Sequence, residues 1–139
     1  MSRLFVYLVV AIFCITKTLA QSESFYFIQL SDPQFGMLEK NKSFSQETMI
    51  MEKVIAAINN LNPAFVVITG DMVNDGKDQK QIDEFKRVCK LIKKSIPVYV
   101  LPGNHDLSQQ CTDESISNYM DEYGYDCFSF QVNNSCFIG

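Results

Sequence analysis

Histidine occurs once in these 139 residues, at His105, and glycine and proline are scarce, at six and four. One imidazole cannot furnish a centre built from several histidines, and so few chain breakers in a composition 47% hydrophobic argue for a globular domain over a disordered chain. No Gly-rich loop follows the first candidate strand, which leaves a flavodoxin-like or nucleotide-binding α/β domain without support. No arginine- or lysine-rich patch is present on a chain of net charge −4, so nucleic acid is not an expected partner. Internal repeats and low-complexity tracts are absent as well. Nor is there a long hydrophobic run, since the apolar stretch over residues 4–15 falls short of the roughly 20 residues that cross a bilayer.

That short stretch follows Met1, Ser2 and Arg3 and leads to Thr18, Leu19 and Ala20, small residues suited to signal-peptidase cleavage. Residues 1–20 therefore read as a signal peptide, with Gln21 as the mature start. Phe13 is too large for a lipoprotein site at Cys14. The expectation is an exported protein, whether periplasmic, secreted or lumenal, with no stable membrane span after cleavage. Without the leader, Arg3 and Lys17 are lost and no acid, which leaves 10 basic against 16 acidic side chains, a net charge of −6. Cys89, Cys111, Cys127 and Cys136 remain, at spacings unlike a zinc knuckle. In an exported chain they could pair, with Cys127 and Cys136 able to face each other across a hairpin, or stay as buried free thiols. Asn41 in NKS and Asn133 in NNS form glycosylation sequons.

Past the leader, strand and helix patterns alternate. SFYFIQL over 24–30 reads as a strand ending in the turn-forming SDPQFG. Ser43 with Gln46 reads as a capping box for a helix whose apolar positions are Met49, Ile50, Val54, Ile55 and Ile58, ended by Asn60 and Pro63. FVVIT over 65–69 is too continuous for a one-sided strand and reads as buried and parallel. Asp78 with Gln81 offers a second capping box before Ile82, Phe85, Val88, Cys89 and Ile92. PVYVL over 97–101 is a third buried strand. A helix is predicted over 112–123, closed by Gly124, and strands over 127–132 and 135–138 join at Asn133 and Asn134.

The order strand, helix, strand, helix, strand implies three parallel strands in one sheet, and ligands of such sheets bind beyond the strand carboxyl ends. Each of the three ends in an ionisable or polar cluster: Asp32, Asp71, and Asn104, His105 and Asp106. Singly, each has an ordinary reading as a cap or turn residue. Together they form a set of hard oxygen donors suited to manganese, magnesium or iron, with the imidazole admitting zinc. Asp71, on the middle segment, is placed to bridge two cations about 3.5–4 Å apart, between which a water would become the nucleophile for a phosphoryl group. His105 could protonate the leaving oxygen, with Asp106 orienting its ring.

Asp32-Pro33-Gln34, Gly70-Asp71 followed by Asn74, and Gly103-Asn104-His105-Asp106 resemble the first three motifs of the calcineurin-like metallophosphoesterase superfamily. The likeness runs over residues 24–139. It implies an α/β protein of sandwich type, the N-terminal part of a two-layer β-sandwich flanked by helices, with 21–139 as the N-terminal portion of a phosphoesterase domain. It also implies a dinuclear site hydrolysing phosphomonoesters or phosphodiesters, with a phosphorylated small molecule or phosphoprotein as partner. By that resemblance Asp32 ligates the first metal, Asp71 bridges, Asn104 ligates the second and touches phosphate together with His105, His105 and Asp106 assist the leaving group, and Asn74 supports the ligands.

Gln34 stands where the family usually has histidine, a variant similar to that of the calcineurin-like phosphoesterase domain-containing serine/threonine phosphatases. Its amide oxygen can still ligate, and the exchange favours manganese or magnesium over zinc at that position. The resemblance places the family's later histidine motifs beyond residue 139, since His105 is the sole histidine here, and the break inside an apparent strand reads as a truncation. As a fragment, this chain alone would hydrolyse little. The competing expectation is an exported, non-catalytic binding or scaffold module of the same fold, lacking a full metal set.

Overall fold

The computed structural model describes residues 24–139, so the signal-peptide segment 1–20 lies outside the described residues. Among these, no helix is long and apolar enough to cross a membrane. Three parallel strands, β1 (Ile28–Ser31), β2 (Val66–Thr69) and β3 (Val98–Leu101), form one sheet in the order β1-β2-β3. Their register sets Ile28 beside Val66 and Val66 beside Val98, so all three chains leave the sheet at one level, after Ser31, Thr69 and Leu101. Helices α1 (Ser45–Leu61) and α2 (Gln79–Cys89) are the crossovers, α3 (Asp113–Tyr123) follows β3, and β4 (Ser129–Val132) pairs antiparallel with β5 (Ser135–Ile138).

Successive strand side chains point to opposite faces, so a central strand covered on both sides has no polar face. In β2, Val66 and Ile68 join a core with Met51, Ile55 and Ile58 of α1 and Phe85 and Val88 of α2. On the other face, Phe65 meets Phe130 and Phe137 of the hairpin at centroid distances of 4.9 and 4.8 Å, and Tyr99 stacks on Phe130 at 3.9 Å. Aromatic rings of the hairpin thus begin the second layer of the expected sandwich.

Several local expectations change. α1 begins without the predicted capping box: Phe44 is its N-cap and makes no side-chain cap bond, while Ser43 Oγ accepts from Ser45 N and Gln46 turns away to Glu39. Its buried face is Glu47, Met51, Ile55 and Ile58, which leaves Met49 and Ile50 exposed. Asp78 does cap α2, through Lys80 N, but Gln81 Oε1 accepts from Asn74 N and Asp75 N rather than from Asp78 N, and the helix stops before Ile92. Thr112 and Ser115 form a complete capping box on α3, which ends at Gly124 as read from the sequence. Cys127 and Cys136 do not face each other, because the register puts Cys136 opposite Gln131. All four described cysteines are free, and Cys111, Cys127 and Cys136 are exposed, not buried. Burial pushes only the Cys89 thiol strongly upward, to about 12.

Candidate metal centre at the strand carboxyl ends

Beyond Ser31 and Thr69 the chains stay linked after the strands end. Gln34 N donates to Asp71 O at 2.9 Å, Phe35 N to Met72 O at 3.1 Å, and Asn74 N to Phe35 O at 2.9 Å. On the other side Gly70 N donates to Leu101 O at 2.9 Å. The three candidate segments are therefore tied edge to edge. Asp32, Gln34 and Asp71 all adopt left-handed backbone, with φ of 54°, 40° and 40°. Non-glycine residues with a Cβ are uncommon there, and several such residues together at one rim are the kind of strain that accumulates at functional sites.

Asp71 is 8% exposed, and its Oδ1 accepts from His105 N at 2.9 Å. Gly103 makes this approach possible: a Cβ there would overlap both Asp71 Oδ1 and Asp71 N. Asp32 is exposed and bonded by Ser31 Oγ, and Gln34 is half-buried beside it. Asn104 is exposed, with Nδ2 donating to Gln109 Oε1 at 2.7 Å. Side chains or backbone of Asp32, Gln34, Asp71, Asn104 and His105 thus share one rim.

Asp106 does not orient the His105 ring. Its carboxylate accepts instead from Met72 N at 3.0 Å, Val73 N at 3.3 Å and Gly103 N at 2.8 Å, binding the loop after β2 to the loop after β3. Burial raises its carboxyl to about 6 despite those donors, which pull the other way, while the nearby Asp71 charge adds to the rise. The ring lies instead against the Asn74 backbone: His105 Nδ1 is 2.7 Å from Asn74 O. Asn74's own amide donates to Asn41 Oδ1 at 2.7 Å.

The burial of two polar residues escaped the sequence reading, which used Gln81 only as a cap partner and Glu47 not at all. Gln81 and Glu47 each occupy the inward face of a helix, in step with Phe85 and Val88 and with Met51, Ile55 and Ile58. A polar residue on an apolar helical stripe was the available signal. Glu47 Oε1 accepts from Leu38 N at 2.8 Å and forms part of a cavity of about 350 Å³ that opens beside Asp32 and Gln34, with Met37, Leu38 and Ile50 in its wall.

As donors, two carboxylates and two amides form an oxygen-only set that suits hard cations such as magnesium or manganese. Among the described residues, no three or more His, Cys, Asp and Glu gather into a group that could hold a metal ion.

The calcineurin-like phosphoesterase family model matches residues 25–138. The chain is 33% identical over 129 residues to the human serine/threonine-protein phosphatase CPPED1, a match covering 82% of this chain and 41% of that protein. It is 32% identical over 112 residues to a probable glycerophosphodiester phosphodiesterase GpdQ of Arcobacter nitrofigilis, covering 77% of this chain and 36% of the relative. Among solved structures, a dimetal phosphatase from Danio rerio superposes with a TM-score of 0.58 at 15% identity, over 82% of this chain and 43% of that one. The chain spans about two fifths of the length of the curated phosphatases it matches.

Proposed function

Because this chain belongs to the calcineurin-like phosphoesterase family, we propose that the protein is a metal-dependent phosphoesterase acting on phosphomonoesters or phosphodiesters. The observation that carries this reading is the convergence of Asp32, Gln34, Asp71, Asn104 and His105 beyond three adjacent parallel strands, with strained backbone at three of them. Asp32 and Gln34 would hold one ion, Asn104 a second, and Asp71 would bridge. Manganese, magnesium or iron suit these oxygen donors better than zinc. Two such ions supply Lewis-acid stabilisation of the phosphoryl oxygens and lower the pKa of a water.

The protein's own groups have separate tasks. The bond from His105 N holds one Asp71 oxygen in place and directs the carboxylate. His105 is anchored through Nδ1, so Nε2 is the nitrogen assigned to the leaving oxygen, to which it gives a proton from the imidazolium form. Asn104 contacts the phosphate. Asp106 positions the loops and does not touch the reacting atoms. A phosphorylated small molecule or phosphoprotein is the substrate class, residues 21–139 belong to the catalytic domain, and residues 1–20 direct export.

The test is metal stoichiometry by calorimetric titration together with hydrolysis of p-nitrophenyl phosphate and bis-p-nitrophenyl phosphate in manganese. Asp71→Asn keeps an acceptor for His105 N and removes the charge. It is expected to reduce turnover by at least about 100-fold and to abolish one binding event. A wild-type protein that binds no divalent ion, or a variant as active as wild type, overturns the reading. That result supports the second reading, a non-catalytic binding or scaffold module, which is favoured by the absence of a three-residue metal cluster among the described residues.

A further inference from the structure

Gln81 lies on the inward face of α2, one turn before Phe85, with 1% of its surface exposed. A side-chain amide has two acceptor positions and two donor hydrogens, and burial demands partners for them. All four are used. Oε1 accepts from Asn74 N at 3.1 Å and Asp75 N at 3.0 Å, while Nε2 donates to Asn41 Oδ1 at 3.1 Å and Asp78 Oδ2 at 3.2 Å. The loop after β1, the loop after β2 and the start of α2 therefore meet on one side chain. Gly36, at φ 99°, comes so close that a Cβ would lie 2.6 Å from Nε2.

Asn74 carries this restraint to the rim. Its carbonyl oxygen meets His105 Nδ1 at 2.7 Å, and a carbonyl only accepts, so Nδ1 holds the hydrogen. In the neutral ring Nε2 then presents its lone pair. Gly76 N returns a bond to His105 O at 3.2 Å, so the 74–76 turn grips the histidine at ring and backbone. We propose that Gln81 is a positioning residue that fixes the tautomer and aim of His105 by holding the Asn74 turn. Its relevance to hydrolysis rests on the phosphoesterase reading, whereas the geometry needs no bound ion.

His105 is the sole histidine, so long-range ¹H–¹⁵N NMR in mildly alkaline solution reads its two nitrogens directly. The wild-type ring is expected to be mainly the Nδ1–H form. Gln81→Met removes all four bonds at similar length and should raise the ratio of Nε2–H to Nδ1–H by about fivefold, the scale of one hydrogen bond. Gln81→Glu keeps oxygen acceptors for Asn74 and Asp75 and should retain the wild-type pattern. Val88→Ala, a core change in the same helix, should lower the melting temperature without moving the tautomer. A wild-type ring in the Nε2–H form, an unchanged ring in folded Q81M, or an equal shift in V88A overturns the proposal. If Q81M does not fold, Q81E decides: a retained Nδ1–H ring supports the proposal and a lost one overturns it. None of these readings involves turnover, so an inactive but correctly tautomeric protein would fail the phosphoesterase reading alone.

Discussion

Three backbone N–H groups, those of Met72, Val73 and Gly103, converge on the Asp106 carboxylate, yet its proton is held up to about pH 6 against an ordinary value of 3.8. With 6% of the residue exposed, lost hydration outweighs the donors, and the neighbouring Asp71 charge adds to the imbalance. The folded chain therefore binds more protons than the unfolded chain between about pH 4 and 6, and its stability falls as pH rises through that window. In metal-free protein the loss should be on the order of 2–3 kcal/mol, levelling off above the folded value. Urea denaturation at several pH values measures it. Asp106→Asn, which does not titrate, should remove the slope between pH 4 and 6, and a slope that survives would assign it to another group.

Among the elements, the chain just past β3 is held closely. Gly103 passes against Asp71 so tightly that Gly103→Ala must push the β3 loop away from the β2 loop. The cost should be about 2 kcal/mol or more, as for other overpacked sites, seen as a lowered melting temperature together with, on the phosphoesterase reading, weakened divalent-ion binding. A G103A protein with both properties intact would show that the two loops are independent.

The elements also show how far the sequence could be read. β2 was legible because a strand covered on both faces has no polar alternation to obscure it, and α3 because Thr112, Ser115 and Gly124 are local signals acting within a few residues. The start of α1 was misread because Ser43 bonds a neighbouring amide and leaves Phe44 as the cap. Its face was misread because Met49, Ile50 and Met51 are equally apolar, and only the position of the sheet selects Met51. In the site, Asp32, Gln34, Asp71, Asn104 and His105 could be located from strand ends, since topology alone brings those ends together. The partner of the His105 ring could not. Adjacency in sequence suggested Asp106, but the ring lies against a backbone carbonyl 31 residues away, and backbone atoms leave no trace in composition.

At the scale of the molecule, the helices cover one face of the parallel sheet and the β4–β5 hairpin covers part of the other with aromatic rings. At the rim, the cross-links from Gln34, Phe35 and Asn74 continue the pattern of the sheet through Phe35 and Val73 into what sequence alone would treat as loop. These amides should therefore keep time with the core in deuterium exchange. Gln34, Phe35 and Asn74 are expected to exchange within about tenfold of the β2 amides, and exchange at open-chain rates would show the links to be transient. If they do keep time, the rim opens only when the sheet opens, and whatever binds there meets a rigid anvil rather than a yielding loop.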